Sequence, residues 1–150
     1  MQSEESASEG NMICMNYKDV APIQVKKINY QGKDFEVKGA SIRWLTHKNL
    51  GGDEYQHNHA LRHFTVAPKG EVPIHQHKYT QIMYVLSGKA LSTALSKDGD
   101  KEEREIGPGD FVYNYSLEPH GLKNLSDAEP VVFLCCIDCV GDKENCAPSY

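Results

Sequence analysis

Three histidines carry the chemistry that this sequence can do. His75-Gln76-His77 places two imidazoles two residues apart, and His120 follows after a glycine- and proline-marked turn. Residues two apart on a strand share a face. Gln81 falls on the same parity if the strand runs on, with Met83 and Val85 continuing that face. His120 shares parity with Leu122 and Asn124. If the two segments lie opposite one another, three neutral nitrogens and one amide oxygen converge. That donor set suits a divalent transition metal.

The elements that must position these residues are short strands. Pieces at Ile28–Tyr30, Phe35–Val37 and Ala40–Thr46, the last with the only tryptophan, Trp44, precede a break at Gly51-Gly52-Asp53. From Leu61 the pattern is regular: strands are predicted at Leu61–Val66, Thr80–Leu86, Ala90–Leu95, Glu102–Ile106, Phe111–Tyr115, His120–Asn124 and Val131–Ile137. Gly or Pro punctuates them, including a predicted turn at Pro68-Lys69-Gly70. Evenly spaced short strands indicate a β-sandwich or barrel. Residues 1–15, rich in Ser and Glu, are expected to form a flexible tail, leaving 16–150 as one domain.

These residues resemble the cupin superfamily. Gly70 to Gly88 reads GEVPIHQHKYTQIMYVLSG and Pro108 to Asn124 reads PGDFVYNYSLEPHGLKN, similar to the two cupin motifs. In the first, Gln81 stands where the family usually has glutamate, and the leading glycine is displaced by one place, at Gly70. In the second, Gly109, His120 and Asn124 fit, while Tyr115 and Leu117 replace the usual proline and inner glycine. The resemblance implies an all-β double-stranded β-helix (a jelly-roll barrel), usually dimeric. It also implies His75, His77, Gln81 and His120 as metal ligands. The ion would be Fe, Mn, Ni, Zn, Co or Cu. With glutamine in place of glutamate, four neutral ligands leave more positive charge on the ion, which favours an anionic or enolate-like partner.

The expected activity is that of a metal-binding protein acting on a small organic acid, enol or sugar-derived metabolite, with a dioxygenase first and an isomerase or lyase next. A non-catalytic sensor or binder is the competing class. The expected partners are this small molecule and a second copy of the chain, because Ile82, Tyr84 and Leu86 leave an outward apolar face that needs a cover.

Other residues are weighed against plainer roles. His57, His59 and His63 imitate the first histidine group but lack a distal partner. His63 could face the barrel interior as an acid or base, or simply pack. Tyr79, Tyr113 and Tyr115 could offer phenols to a substrate or pack at the rim. Arg43 and Arg62 could grip a carboxylate, against a default of facing solvent. Asp110 is expected to bond its own turn.

Composition bounds the rest. The 150 residues carry a formal charge of −5, which gives no electrostatic footprint for nucleic acid and no polybasic handle for a membrane. The longest apolar run, Val131–Ile137, falls far short of the roughly 20 residues that span a bilayer as a helix. The opening residues lack a basic segment followed by an apolar one, so a cytoplasmic protein is expected. Five cysteines, Cys14, Cys135, Cys136, Cys139 and Cys146, argue against a disulfide framework. Cys135 and Cys136 are expected to act as small hydrophobes, and Cys146 stands alone, although Cys136, Cys139 and Cys146 together could respond to redox conditions.

Overall fold

A computed structural model describes residues 12–148. The first eleven residues of the expected tail therefore lie outside the described residues. The described residues form nine strands: β1 (Ile23–Tyr30), β2 (Lys33–Trp44), β3 (His59–His75), β4 (Gln81–Ser87), β5 (Ala90–Leu95), β6 (Lys101–Ile106), β7 (Phe111–Asn114), β8 (His120–Lys123) and β9 (Val131–Asp138). Every pairing is antiparallel. The strands run in the order β6-β5-β8-β3-β9-β4-β7, with β2 also on β3 and β1 on β2. This is the predicted jelly-roll barrel. Among the described residues no helix is long and apolar enough to cross a membrane.

Period-two patterning decides which side chains go inside. In β9, Val131, Phe133, Cys135 and Ile137 are buried and alternate with half-buried residues. In β4, Gln81, Met83 and Val85 are buried while Ile82, Tyr84 and Leu86 are exposed. Val37, Ala40, Val66, Val85, Val131 and Leu122 belong to the resulting core, with Phe64 stacked on Phe133 at 4.9 Å. Packing β-branched and aromatic side chains against cross-strand neighbours is what stabilises such a sheet.

The long strand β3 makes the barrel. Its first half pairs with β2 and β9, and its second half with β8. The predicted turn at Pro68-Lys69-Gly70 is instead a bulge inside this strand. The register against β2 slips between Ala40↔Val66 and Lys38↔Glu71, and Lys69 takes a left-handed φ of 61°. The backbone groups that a turn would have bonded find other partners: Lys69 N donates to Ser126 O at 2.9 Å and Asn124 N to Gly70 O at 3.0 Å. The bulge bends the strand from one side of the barrel to the other without ending it.

Gly88 shows why the first motif closes on glycine. Its φ is +80°, and a Cβ there would lie 2.2 Å from Pro130 O. Only glycine takes that conformation without a clash. The Gly109 turn is held by Asp110, whose Oδ2 accepts from Gly107 N at 2.8 Å, as expected of it.

Candidate metal centre

β3 ends at His75, so the first histidine pair is not on one continuous strand. His77 sits in the loop that follows, and Gln81 opens β4. Leu117 N donates to His77 O at 2.8 Å, which ties this loop to the one before β8. His120 starts β8 directly opposite His75 in the register. Convergence therefore comes from pairing of β3 with β8 and from a loop, not from parity along a single strand.

The three imidazoles meet. Their ligand atoms all lie within 4.8 Å of one another, and the His75 and His120 ring centroids are 4.5 Å apart. Each ring has its Nδ1 on a backbone carbonyl: His75 on Pro73 O at 2.8 Å, His77 on Tyr79 O at 3.0 Å, and His120 on Glu118 O at 2.8 Å. A carbonyl only accepts, so each Nδ1 carries the proton and each Nε2 keeps its lone pair. This is the outer bonding that orients histidine ligands in metal sites. Burial first, and then the neighbouring His120, push His75 down to about 3 and His77 down to about 4; burial also lowers His120. All three rings are thus neutral near pH 7, the form that binds metal.

Gln81 lies beside them. Its Nε2 donates to Asn114 Oδ1 at 3.0 Å and lies 3.2 Å from His120 Nε2. Asn114 Nδ2 in turn donates to Glu118 Oε1 at 3.0 Å. On the other side of the amide, Cys135 Sγ is 3.5 Å from Gln81 Oε1.

The centre opens on a cavity of about 620 Å³ lined by apolar groups such as Val25, Ile42, Val72 and Phe133, and by Tyr79 and Arg62. Tyr79 stacks on His77 at 3.8 Å, and burial raises its phenol pKa, keeping it protonated. The only carboxylate on the lining, among the described residues, is Glu144.

Adjacent residues of β3 part company. Arg62 turns into the cavity and is buried, so the default of a solvent-facing position does not hold for it. His63 turns the other way and stacks on Tyr17 at 4.4 Å, outside the cavity. An inward acid or base role for His63 is therefore excluded by strand parity. Arg43 is also outside, its Nη1 donating to Val20 O at 2.6 Å. Tyr113 and Tyr115 are exposed. His57 Nε2 lies 2.6 Å from Leu50 O, and His57, His59 and His63 form no metal-like group among the described residues. Asn124 of the second motif is structural: its Nδ2 reaches Val66 O, Ala67 O and Glu129 O at 3.1, 3.2 and 2.8 Å.

The cysteine count, read as arguing against disulfides, is corrected at Cys146. That residue is joined to Cys139, seven residues away, in a disulfide. The intervening segment breaks away from β9 and returns at the 3-10 turn Lys143–Asn145, and Lys48 N donates to Cys146 O at 3.1 Å. Sequence spacing could not show this return. Cys135 and Cys136 remain free in β9, as expected.

Comparison with known proteins agrees with this architecture. No curated protein sequence matches. Among solved structures, a single-residue variant of oxalate decarboxylase from Bacillus subtilis is 22% identical with a TM-score of 0.65, covering 88% of this chain and 31% of that one. The chain thus spans about a third of the length of these decarboxylases. The polyketide cyclase RemF from Streptomyces resistomycificus is 26% identical with a TM-score of 0.63, covering 85% of this chain and 80% of that one. The family model of the cupin domain matches residues 62–137, from the cavity-facing arginine to the end of β9's buried row. Taken with a jelly-roll barrel that brings His75, His77 and His120 together, this match, a little over half of the sequence, makes the chain a member of the cupin family.

Proposed function

We propose that His75, His77 and His120 hold a divalent transition metal, with Gln81 as the fourth ligand, and that the protein uses it on a small organic acid, enol or sugar-derived metabolite. The observation that supports this is the set of three Nδ1–carbonyl bonds, which leaves each Nε2 its lone pair, with the ligand atoms of the three rings within 4.8 Å of one another. Imidazole donors suit Fe, Mn, Ni, Zn, Co and Cu. Such an ion, when bound, polarises a ligand oxygen and, for iron or copper, adds a redox centre. The chain's own residues do the rest: the apolar lining excludes water, Tyr79 packs His77 in place, and the Glu118–Asn114–Gln81 relay orients the amide.

Within that reading, oxygenation by a dioxygenase is proposed first, since neutral imidazoles suit iron, and isomerase or lyase chemistry second. The likeness to RemF, a polyketide cyclase, supports a small organic substrate. A non-catalytic metabolite binder is favoured by one observation: among the described residues, no carboxylate on the cavity lining other than Glu144 could serve as a base. A homodimer is proposed through the outer face of β4 and β7, where Ile82 pairs with Tyr113 and Tyr84 with Phe111, all exposed. Contiguous exposed apolar groups of this kind mark interaction surfaces.

The deciding experiment is elemental analysis of untagged protein, fresh and after reconstitution. One ion per chain is expected, lost in His75→Ala and His120→Ala while circular dichroism keeps its β-sheet form. Protein that retains no ion in either preparation would overturn the metal reading. Mass spectrometry of metabolites incubated with loaded protein then separates an enzyme, which yields product, from a binder, which returns its ligand unchanged. Light scattering of Phe111→Glu, expected to be monomeric against a dimeric parent, tests the assembly.

A further inference from the structure

Arg62 is a buried cation with no carboxylate paired to it among the described residues. It is 5% exposed on the wall of the cavity. Its guanidinium carbon lies 5.1, 5.0 and 5.6 Å from the ring centroids of Trp44, Phe64 and Tyr79. Nη2 donates to Cys135 Sγ at 3.0 Å, and Nε is buried with no partner. No carboxylate is ion-paired with it among the described residues. Guanidinium is charged at any working pH and offers five donors in a planar fork. Aromatic faces offset part of the cost of burying it. They leave Nε unanswered, and a buried charge lacking a counter-ion is costly.

Its position explains what the charge is for. Arg62, Cys135 and Met83 form one inward row across β3, β9 and β4, and Ala60, Ile137 and Gln81 form the next. Arg62 is thus one row from Gln81, and Cys135 Sγ touches both. A molecule held at Arg62 extends naturally toward the three histidines.

We propose that Arg62 binds the carboxylate of an organic monocarboxylate whose apolar body fills the cavity and whose far end meets the histidine centre. A carboxylate matches the fork in two places. One carboxylate is specified because Arg62 is the only buried cation on the lining among the described residues; the other, Lys48, is not buried. The apolar body follows from Val25, Ile28, Ile42 and Val72 around a volume typical of pockets for small organic ligands. The far-end contact rests on the metal reading; the Arg62 contact does not.

Trp44, the only tryptophan, reports on this site. Its fluorescence is followed while metal-loaded and chelator-treated protein are titrated with cyclohexanecarboxylate and with the neutral cyclohexanecarboxamide. The acid is expected to bind about tenfold or more tighter than the amide in both forms, as an added charge-assisted hydrogen-bond pair implies. In Arg62→Met the acid's advantage over the amide disappears. Arg62→Lys, which keeps the charge without the fork, loses part of the advantage and stands in if the methionine variant does not fold. Equal affinity for acid and amide in the parent protein, or an undiminished preference in the folded variants, overturns the proposal. The metal reading fails separately: absence of a bound ion with the acid preference intact sinks that reading alone, and a bound ion without acid preference sinks this one alone.

Discussion

Gln81 Nε2 lies 3.2 Å from His120 Nε2, on the lone pair that this imidazole keeps because its Nδ1 is bonded to Glu118 O. The polarity of that contact is set from a distance. Asn114 turns its Nδ2 to Glu118 Oε1, which accepts, and its Oδ1 to Gln81. Gln81 therefore presents N–H to His120 and its oxygen toward Cys135. Ligation through Oε1 requires the amide to turn over as the ion takes the His120 lone pair.

Gln81→Glu removes that requirement and adds a negative charge beside the ion. Divalent metal affinity should tighten by about tenfold or more, given the strength of charge pairing at this depth. Competition with a chromophoric chelator measures it. Unchanged affinity would place Gln81 outside the coordination sphere and leave three histidine ligands.

Acid should destabilise the metal-free protein early. The folded state holds His75 near 3 and His77 near 4, chiefly by burial, whereas unfolded histidine titrates near 6.5. Below about pH 6.5 the unfolded chain takes up protons that the folded one refuses, so stability is full above that pH and falls as pH drops toward 4 and 3. The Tm of chelator-treated protein should decline across this window, and less steeply in His75→Gln. A flat Tm between pH 6.5 and 4 would contradict it.

Asn124→Ala should cost about 2–4 kcal/mol, because three carbonyls, Val66 O, Ala67 O and Glu129 O, lose a donor in a buried setting. The shift in urea midpoint reads the loss. Metal stoichiometry should not change, since none of the Asn124 bonds involves a histidine of the centre.

Cys146→Ser should cost about 2–3 kcal/mol by releasing the loop that the disulfide closes. Alkylation of the unfolded, unreduced parent should mark three thiols, Cys14, Cys135 and Cys136. Five marked thiols would show that Cys139 and Cys146 are unpaired in solution. Glu144, Asn145, Ala147 and Pro148 line the cavity next to this bond, so reduction should also make the segment more open to proteolysis.

Much of the barrel was legible in the sequence because strands advertise themselves by a period of two and by the Gly and Pro residues between them. β4, β5 and β9 fall within a residue or so of where alternation places them, and the spacing of His75, His77 and His120 marked the centre. The run at 68–70 misled because a bulge and a turn use the same residue types. Alternation shows which residues share a face, but it does not show which face the closed sheet turns inward. Only closure sent Arg62 into the cavity and His63 out to Tyr17, brought Cys146 back to Cys139, and set Glu118 to orient Gln81 through Asn114. Those are contacts between chain segments far apart or folded back on themselves, and no local pattern encodes them.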